Sequence, residues 1–107
     1  MRSRSWTFAA ILALSTASMA ASNLLVVDQI GQVFDRTSLQ IARGDRIVFN
    51  NHDDVTHNIS VFTEDGDPTD LGLQKPGVSL KYKFDKSGLF TVRCSIHPSM
   101  KMSVAVK

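Results

Sequence analysis

Beyond residue 20 the chain is written in short apolar runs broken by turn residues, and this pattern restricts the fold more than any other feature. Leu24–Val27 is apolar and β-branched, and Ser38–Ile41 alternates so that Leu39 and Ile41 share a face. Arg43-Gly44-Asp45 reads as a turn. Arg46–Asn50 then sets Ile47 and Phe49 against Val48, and Asn58–Phe62 is a further strand candidate. Residues 63–79 carry Gly66, Pro68, Gly72, Pro76 and Gly77, which predicts a long loop with room for a short helical turn. Leu80–Phe84 alternates again, Lys86-Ser87-Gly88 turns the chain, and Leu89–Arg93 and Ser103–Val106 supply two more strands. No amphipathic helix, internal repeat or low-complexity segment interrupts the series. Strands at this spacing predict an all-β domain, an antiparallel sandwich or barrel.

The first 20 residues follow a different grammar. Arg2 and Arg4 form a basic start, Trp6 to Leu14 an apolar stretch, and Ser18-Met19-Ala20 a small-residue cleavage site. This is the pattern of a secretory signal, and the apolar run is short for a membrane anchor, which needs about 20 residues. Residues 1–20 are therefore expected to be a cleaved signal peptide, and 21–107 one folded domain with no stable membrane insertion. Cleavage alters the charge balance. The whole chain has 12 Lys and Arg against 10 Asp and Glu, and the two arginines leave with the signal, so the remainder is formally neutral. With no basic run interleaved with aromatics, nucleic-acid binding is not expected.

An exported chain meets an oxidising compartment, yet Cys94 is the single cysteine and can form no internal disulfide. Its surroundings supply another use for the thiol. Cys94-Ser95-Ile96-His97-Pro98-Ser99-Met100-Lys101-Met102 lies between two strand candidates, so a strand-to-strand loop offers a thiolate, an imidazole and thioethers together. These soft to borderline donors suit copper and not magnesium or calcium. A second imidazole is available upstream in Val55-Thr56-His57-Asn58-Ile59. Two His and one Cys with a weak axial Met is the blue-copper donor set. Zinc also accepts Cys and His, but a structural zinc site normally has more cysteines and no thioether. Taken one at a time, Cys94 reads as a buried hydrophobe, His57 as a surface residue, and Met100 and Met102 as core positions. Their coincidence favours a metal site.

These pieces, in order, resemble the cupredoxins of the plastocyanin, amicyanin and pseudoazurin group over nearly all of residues 21–107. Gly44-Asp45-Arg46-Ile47-Val48-Phe49-Asn50-Asn51 is similar to the strand before the first ligand, and Thr56-His57-Asn58-Ile59 to the Pro-His-Asn-Val segment. Pro76-Gly77 with Tyr82 and Phe84 looks like the strand after the long loop. Gly88-Leu89-Phe90-Thr91-Val92-Arg93-Cys94 and the Cys-Ser-Ile-His-Pro loop complete the likeness. The resemblance implies a Greek-key β-sandwich with one type 1 copper held by His57, Cys94 and His97. It makes Asn58 an outer partner whose backbone N–H faces the thiolate and whose side chain ties the two ligand loops. Met100 fits as axial ligand because Lys101-Met102-Ser103 leaves the three-residue spacer to the terminal β-branched run, whereas Met102 leaves one. Ile96 departs from a frequent proline and Met102 from a frequent glycine. His52 is expected to be an exposed loop residue.

The implied function is single-electron transfer between redox proteins in the periplasm by Cu(I)/Cu(II) cycling, with partners docking near His97, Ile96 and Pro98 and the chain a monomer. A methylamine-oxidising chain is suggested by analogy with amicyanin-like loops. No catalytic activity is expected, since no Ser-His-Asp set or carboxylate dyad stands out and a catalytic copper needs an open position. The rival is a periplasmic copper chaperone or storage protein, supported by Met102, His52 and a solvent-facing His97.

Overall fold

The computed structural model describes Ser3, Ser5 and residues 22–107, so the expected signal segment falls almost wholly outside the described residues. The described residues form nine strands: β1 (Leu24–Ile30), β2 (Val33–Phe34), β3 (Ser38–Ile41), β4 (Arg46–Asn51), β5 (His57–Phe62), β6 (Pro68–Gln74), β7 (Ser79–Lys83), β8 (Gly88–Arg93) and β9 (Lys101–Val106). They build two sheets in the orders β2-β1-β4-β7 and β3-β9-β8-β5-β6. Among the described residues no helix is long and apolar enough to cross a membrane.

Period-two alternation decides which side chains enter the sandwich. Ile47 and Phe49 on β4, Phe90 and Val92 on β8, and Met102, Val104 and Val106 on β9 all turn inward. Phe84 packs edge-on against both Tyr82 and Phe90, with ring centroids 4.8 and 5.4 Å away. The all-β sandwich expected from the sequence is the architecture found, but the sheets are mixed. β1 pairs with β4, and β3 with β9, in parallel. Periodicity reports which face a residue occupies and is blind to strand direction. Parallel neighbours arise here because β1 and β4 are joined through a hairpin and a strand of the opposite sheet.

Two strand extents also differ from those expected. The first strand runs to Ile30 and folds back through Gly31 and Gln32 into β2. Residues 63–79 are no continuous loop and contain no helical turn: β6 occupies Pro68–Gln74 as the edge strand beside β5. Its sequence masked it. Pro68 opens the strand, where no ladder N–H is needed, and the pairing skips Leu71 between Ser60↔Asp70 and Ile59↔Gly72. Gly72, at φ +95°, makes this bulge possible.

The β5–β8 ladder is deliberately short. It covers Ser60↔Arg93, Val61↔Val92 and Phe62↔Thr91 and then stops. His57, Asn58 and Ile59 extend beyond it at the end of the sandwich where the chain leaves β8 through Cys94.

Candidate metal centre

Where the β5–β8 ladder ends, the Asn58 backbone N–H donates to Cys94 Sγ at 3.3 Å. The thiol thus occupies the place a carbonyl would fill in a continuing ladder. The loop after Cys94 closes on itself. Met100 N–H donates to the His97 carbonyl at 2.9 Å, and Cys94 N–H donates to the Met100 carbonyl at 3.1 Å. Pro98 sits at the second position of that four-residue turn, where its fixed φ is already suitable.

The turn swings His97 over the thiol and opposite His57. The Nδ1 atoms of His57 and His97 are 3.0 Å apart, and His97 Nδ1 is 3.8 Å from Cys94 Sγ. Edge-on ring packing, 4.9 Å between centroids, lets both nitrogens face the same point. Donor atoms of His57, Cys94 and His97 all lie within 4.8 Å of one another. Two imidazole nitrogens sharing one first-row metal at about 2.0–2.1 Å each stand roughly 3–3.5 Å apart, so the spacing suits a common ion. The chemistry agrees: one soft thiolate and two imidazoles, with no carboxylate in the cluster, fit copper.

Burial is graded across the cluster. His57 and Cys94 are inaccessible, whereas His97 is half-buried between exposed Ile96 and Pro98. Met100 is fully buried at the loop's end. Met102 is equally buried but lies one inward position further along, paired with Val92 within the β8–β9 ladder. His52 is 53% exposed and turns to Asp28, 3.0 Å from its Nε2, away from the cluster.

The side chain of Asn58 connects three elements. Its Nδ2 donates to Asp70 Oδ1 (2.8 Å) and the Gly72 carbonyl (3.1 Å) on β6. Its Oδ1 accepts from Ser60 Oγ (3.1 Å), Ser95 N–H (3.1 Å) and Ser95 Oγ (2.9 Å). The β6 bulge therefore braces the loop that carries the thiol.

Two residues at this end were not singled out in the sequence. Leu73, opposite Asn58 in the β5–β6 ladder, is 68% exposed and adds apolar surface beside the loop. Asp53 accepts the His57 Nε2–H at Oδ2, 2.7 Å away. Burial alone would raise the Asp53 carboxyl, but hydrogen bonds from His57 and from the Gln32 and Gly31 amides hold it below the ordinary carboxylate value. The tendency of metal-bound imidazoles to donate to a carboxylate was the available signal for Asp53.

A two-sheet sandwich with a buried two-histidine, one-cysteine cluster at one end defines a cupredoxin-type copper protein. Residues 21–107 match the model for copper binding proteins of the plastocyanin/azurin family, and the chain belongs to that family. It is 38% identical over 63 residues to the methylamine utilization protein MauL of Methylorubrum extorquens, spanning 59% of this chain and 55% of that protein. Chloroplastic plastocyanin of Pisum sativum is 30% identical over 110 residues, spanning 87% of this chain and 65% of the relative. The chain thus covers between about half and two thirds of the length of these relatives. Among solved structures, a copper(I) form of an amicyanin variant superposes with a TM-score of 0.71 at 20% identity, over 78% of this chain and 82% of that one. A purple cupredoxin from Nitrosopumilus maritimus gives 0.69 at 20% identity, over 78% and 99%. These two likenesses concern the fold.

Proposed function

We propose that the chain is an exported, periplasmic electron carrier, in which His57, Cys94, His97 and Met100 hold one copper ion and Asn58 steadies the thiolate. The observation that carries this reading is the convergence of two imidazoles and a thiol at a buried, cross-braced end of the sandwich. A copper bound there supplies a one-electron Cu(I)/Cu(II) couple. The protein's part is to keep the donors in place. Cys94 is fixed by the Asn58 N–H and the Met100 carbonyl, His57 by Asp53, and His97 by the turn through Pro98. Ligands locked by their own supporting contacts change geometry little between oxidation states. Met100 is favoured over Met102 as the axial donor because it ends the ligand loop, whereas Met102 is committed to the β8–β9 ladder.

His97 offers the path to a partner, since His57 and Cys94 are inaccessible. Ile96, Pro98 and Leu73 give that end an apolar rim for transient docking. The signal-like residues 1–20 support export, and the likeness to a methylamine utilization protein supports a place in methylamine use. Copper delivery is the weaker reading: Met102 is inside the core and His52 faces Asp28, so two of the residues that suggested it lie elsewhere.

Repeated electrochemical reduction and oxidation of the copper-loaded protein, with a competing chelator present, separates the two. A carrier keeps its copper and its signal through many cycles. Loss of copper to the chelator on reduction would move the assignment to delivery.

A further inference from the structure

The residue that holds His57 from behind belongs to a connection between the two sheets. Asp53 Oδ2 accepts the His57 Nε2–H at 2.7 Å. The same carboxylate accepts Gly31 N–H at Oδ1 (2.6 Å) and Gln32 N–H at Oδ2 (2.9 Å). Gly31 and Gln32 are the two residues of the β1–β2 hairpin turn, with φ of +66° and +59°. Positive φ at both positions marks a type I′ turn, and here it presents two successive amides to one anion. Gln32 is the one described non-glycine residue with positive φ. At the other side, Asp53 N–H donates to Asn51 Oδ1, while Asn51 Nδ2 donates to the Val55 and Gln74 carbonyls. The carboxylate is thus gripped by its neighbours before it meets the imidazole.

We propose that Asp53 is a positioning residue that fixes His57 as the Nε2–H tautomer, anchors it to the opposite sheet through the Gly31–Gln32 turn, and thereby lowers the copper reduction potential. The inference rests on His57 being a copper ligand. The hydrogen bond from Nε2 leaves the Nδ1 lone pair directed at the cluster, where Nδ1 is 3.0 Å from its counterpart on His97. An anionic acceptor makes the imidazole a stronger donor, which favours the more highly charged oxidation state. The anchor is also rigid, because β2 and β1 belong to the four-stranded sheet while His57 opens a strand of the five-stranded one.

The test compares wild type with Asp53→Asn and Asp53→Glu by competition titration with Cu(II) and Cu(I), by voltammetry, and by imidazole nitrogen NMR of the metal-free protein. Asn keeps an acceptor oxygen and loses the charge. It is expected to weaken Cu(II) binding about 10–100-fold, as removal of such partners does elsewhere, and Cu(I) binding less. A tenfold difference between the two states raises the potential by about 59 mV. Glu returns the potential toward wild type. Equal weakening of both states, or an unchanged potential, would leave Asp53 a structural staple and overturn the proposal. The NMR arm needs no variant: His57 found as the Nδ1–H tautomer in the wild type also overturns it. A wild-type protein that binds no copper but shows the Nε2–H tautomer would refute the proposed metal site and not the hold of Asp53 on His57.

Discussion

Replacing Asn58 by Ala should destabilise the metal-free protein by about 3 kcal/mol while sparing the contact that matters most to the thiol. The substitution removes five side-chain hydrogen bonds: two to β6, one to Ser60 and two to Ser95. They are not equivalent. Asp70 and the Ser95 hydroxyl lie on exposed residues and regain water, so their loss costs little. The Ser60 hydroxyl is buried, and the Ser95 N–H and Gly72 carbonyl are partly so. Each of these three loses a partner it cannot readily replace, at about 1 kcal/mol apiece. For a domain of this size, 1 kcal/mol corresponds to roughly 4–8 °C in Tm, so a fall of about 12–24 °C is expected. The backbone N–H to Cys94 survives the change, so a copper-loaded sample should keep its colour while losing the metal faster to a chelator. Urea unfolding of the metal-free form measures the first effect, with the midpoint falling and the slope unchanged. A loss below about 1 kcal/mol would show that the five bonds do not brace the loop.

Three other outcomes follow from the same geometry. Met100→Leu should keep the fold but raise the reduction potential, whereas Met102→Leu, a volume-conserving change in the core, should cost less than about 1.5 kcal/mol and leave the potential alone; voltammetry and urea unfolding read both. Ile96→Lys, at a side chain 46% exposed beside His97, should slow second-order electron exchange with a protein partner without altering the visible spectrum. Hydrogen bonds hold the folded Asp53 carboxyl below its ordinary value, so its stabilisation is complete above the unfolded value and is lost as pH falls through the folded one. The difference in urea midpoint between metal-free wild type and Asp53→Asn should therefore narrow as pH falls through the lowered folded value of Asp53.

Much of the sandwich was legible because side-chain alternation is a local property. Ile47 and Phe49, set against Val48, announce an inward face, and both are buried. The three chemical side chains were legible for a different reason: Cys94 and His97 share one loop, and a donor set needing a second imidazole has few histidines to choose from. What escaped depended on partners distant in sequence. β6 reads as loop because Pro68, Asp70 and Gly72 disfavour a strand, and only its place at a sheet edge, with a bulge at Leu71, makes them acceptable. The parallel pairing of β1 with β4 leaves no trace in periodicity. Asp53 was one of two adjacent aspartates, and what distinguishes it from Asp54 is the hairpin turn 21 and 22 residues upstream that receives its carboxylate.

The central claim, a copper–thiolate centre built from His57, Cys94 and His97, is tested most directly by the visible absorption spectrum of the protein with one equivalent of Cu(II), beside Cys94→Ala. An intense blue band, bleached by ascorbate, restored by oxidant and absent from the variant, is the expected result. A bound but colourless or weakly coloured metal, or a band that persists without Cys94, would contradict it.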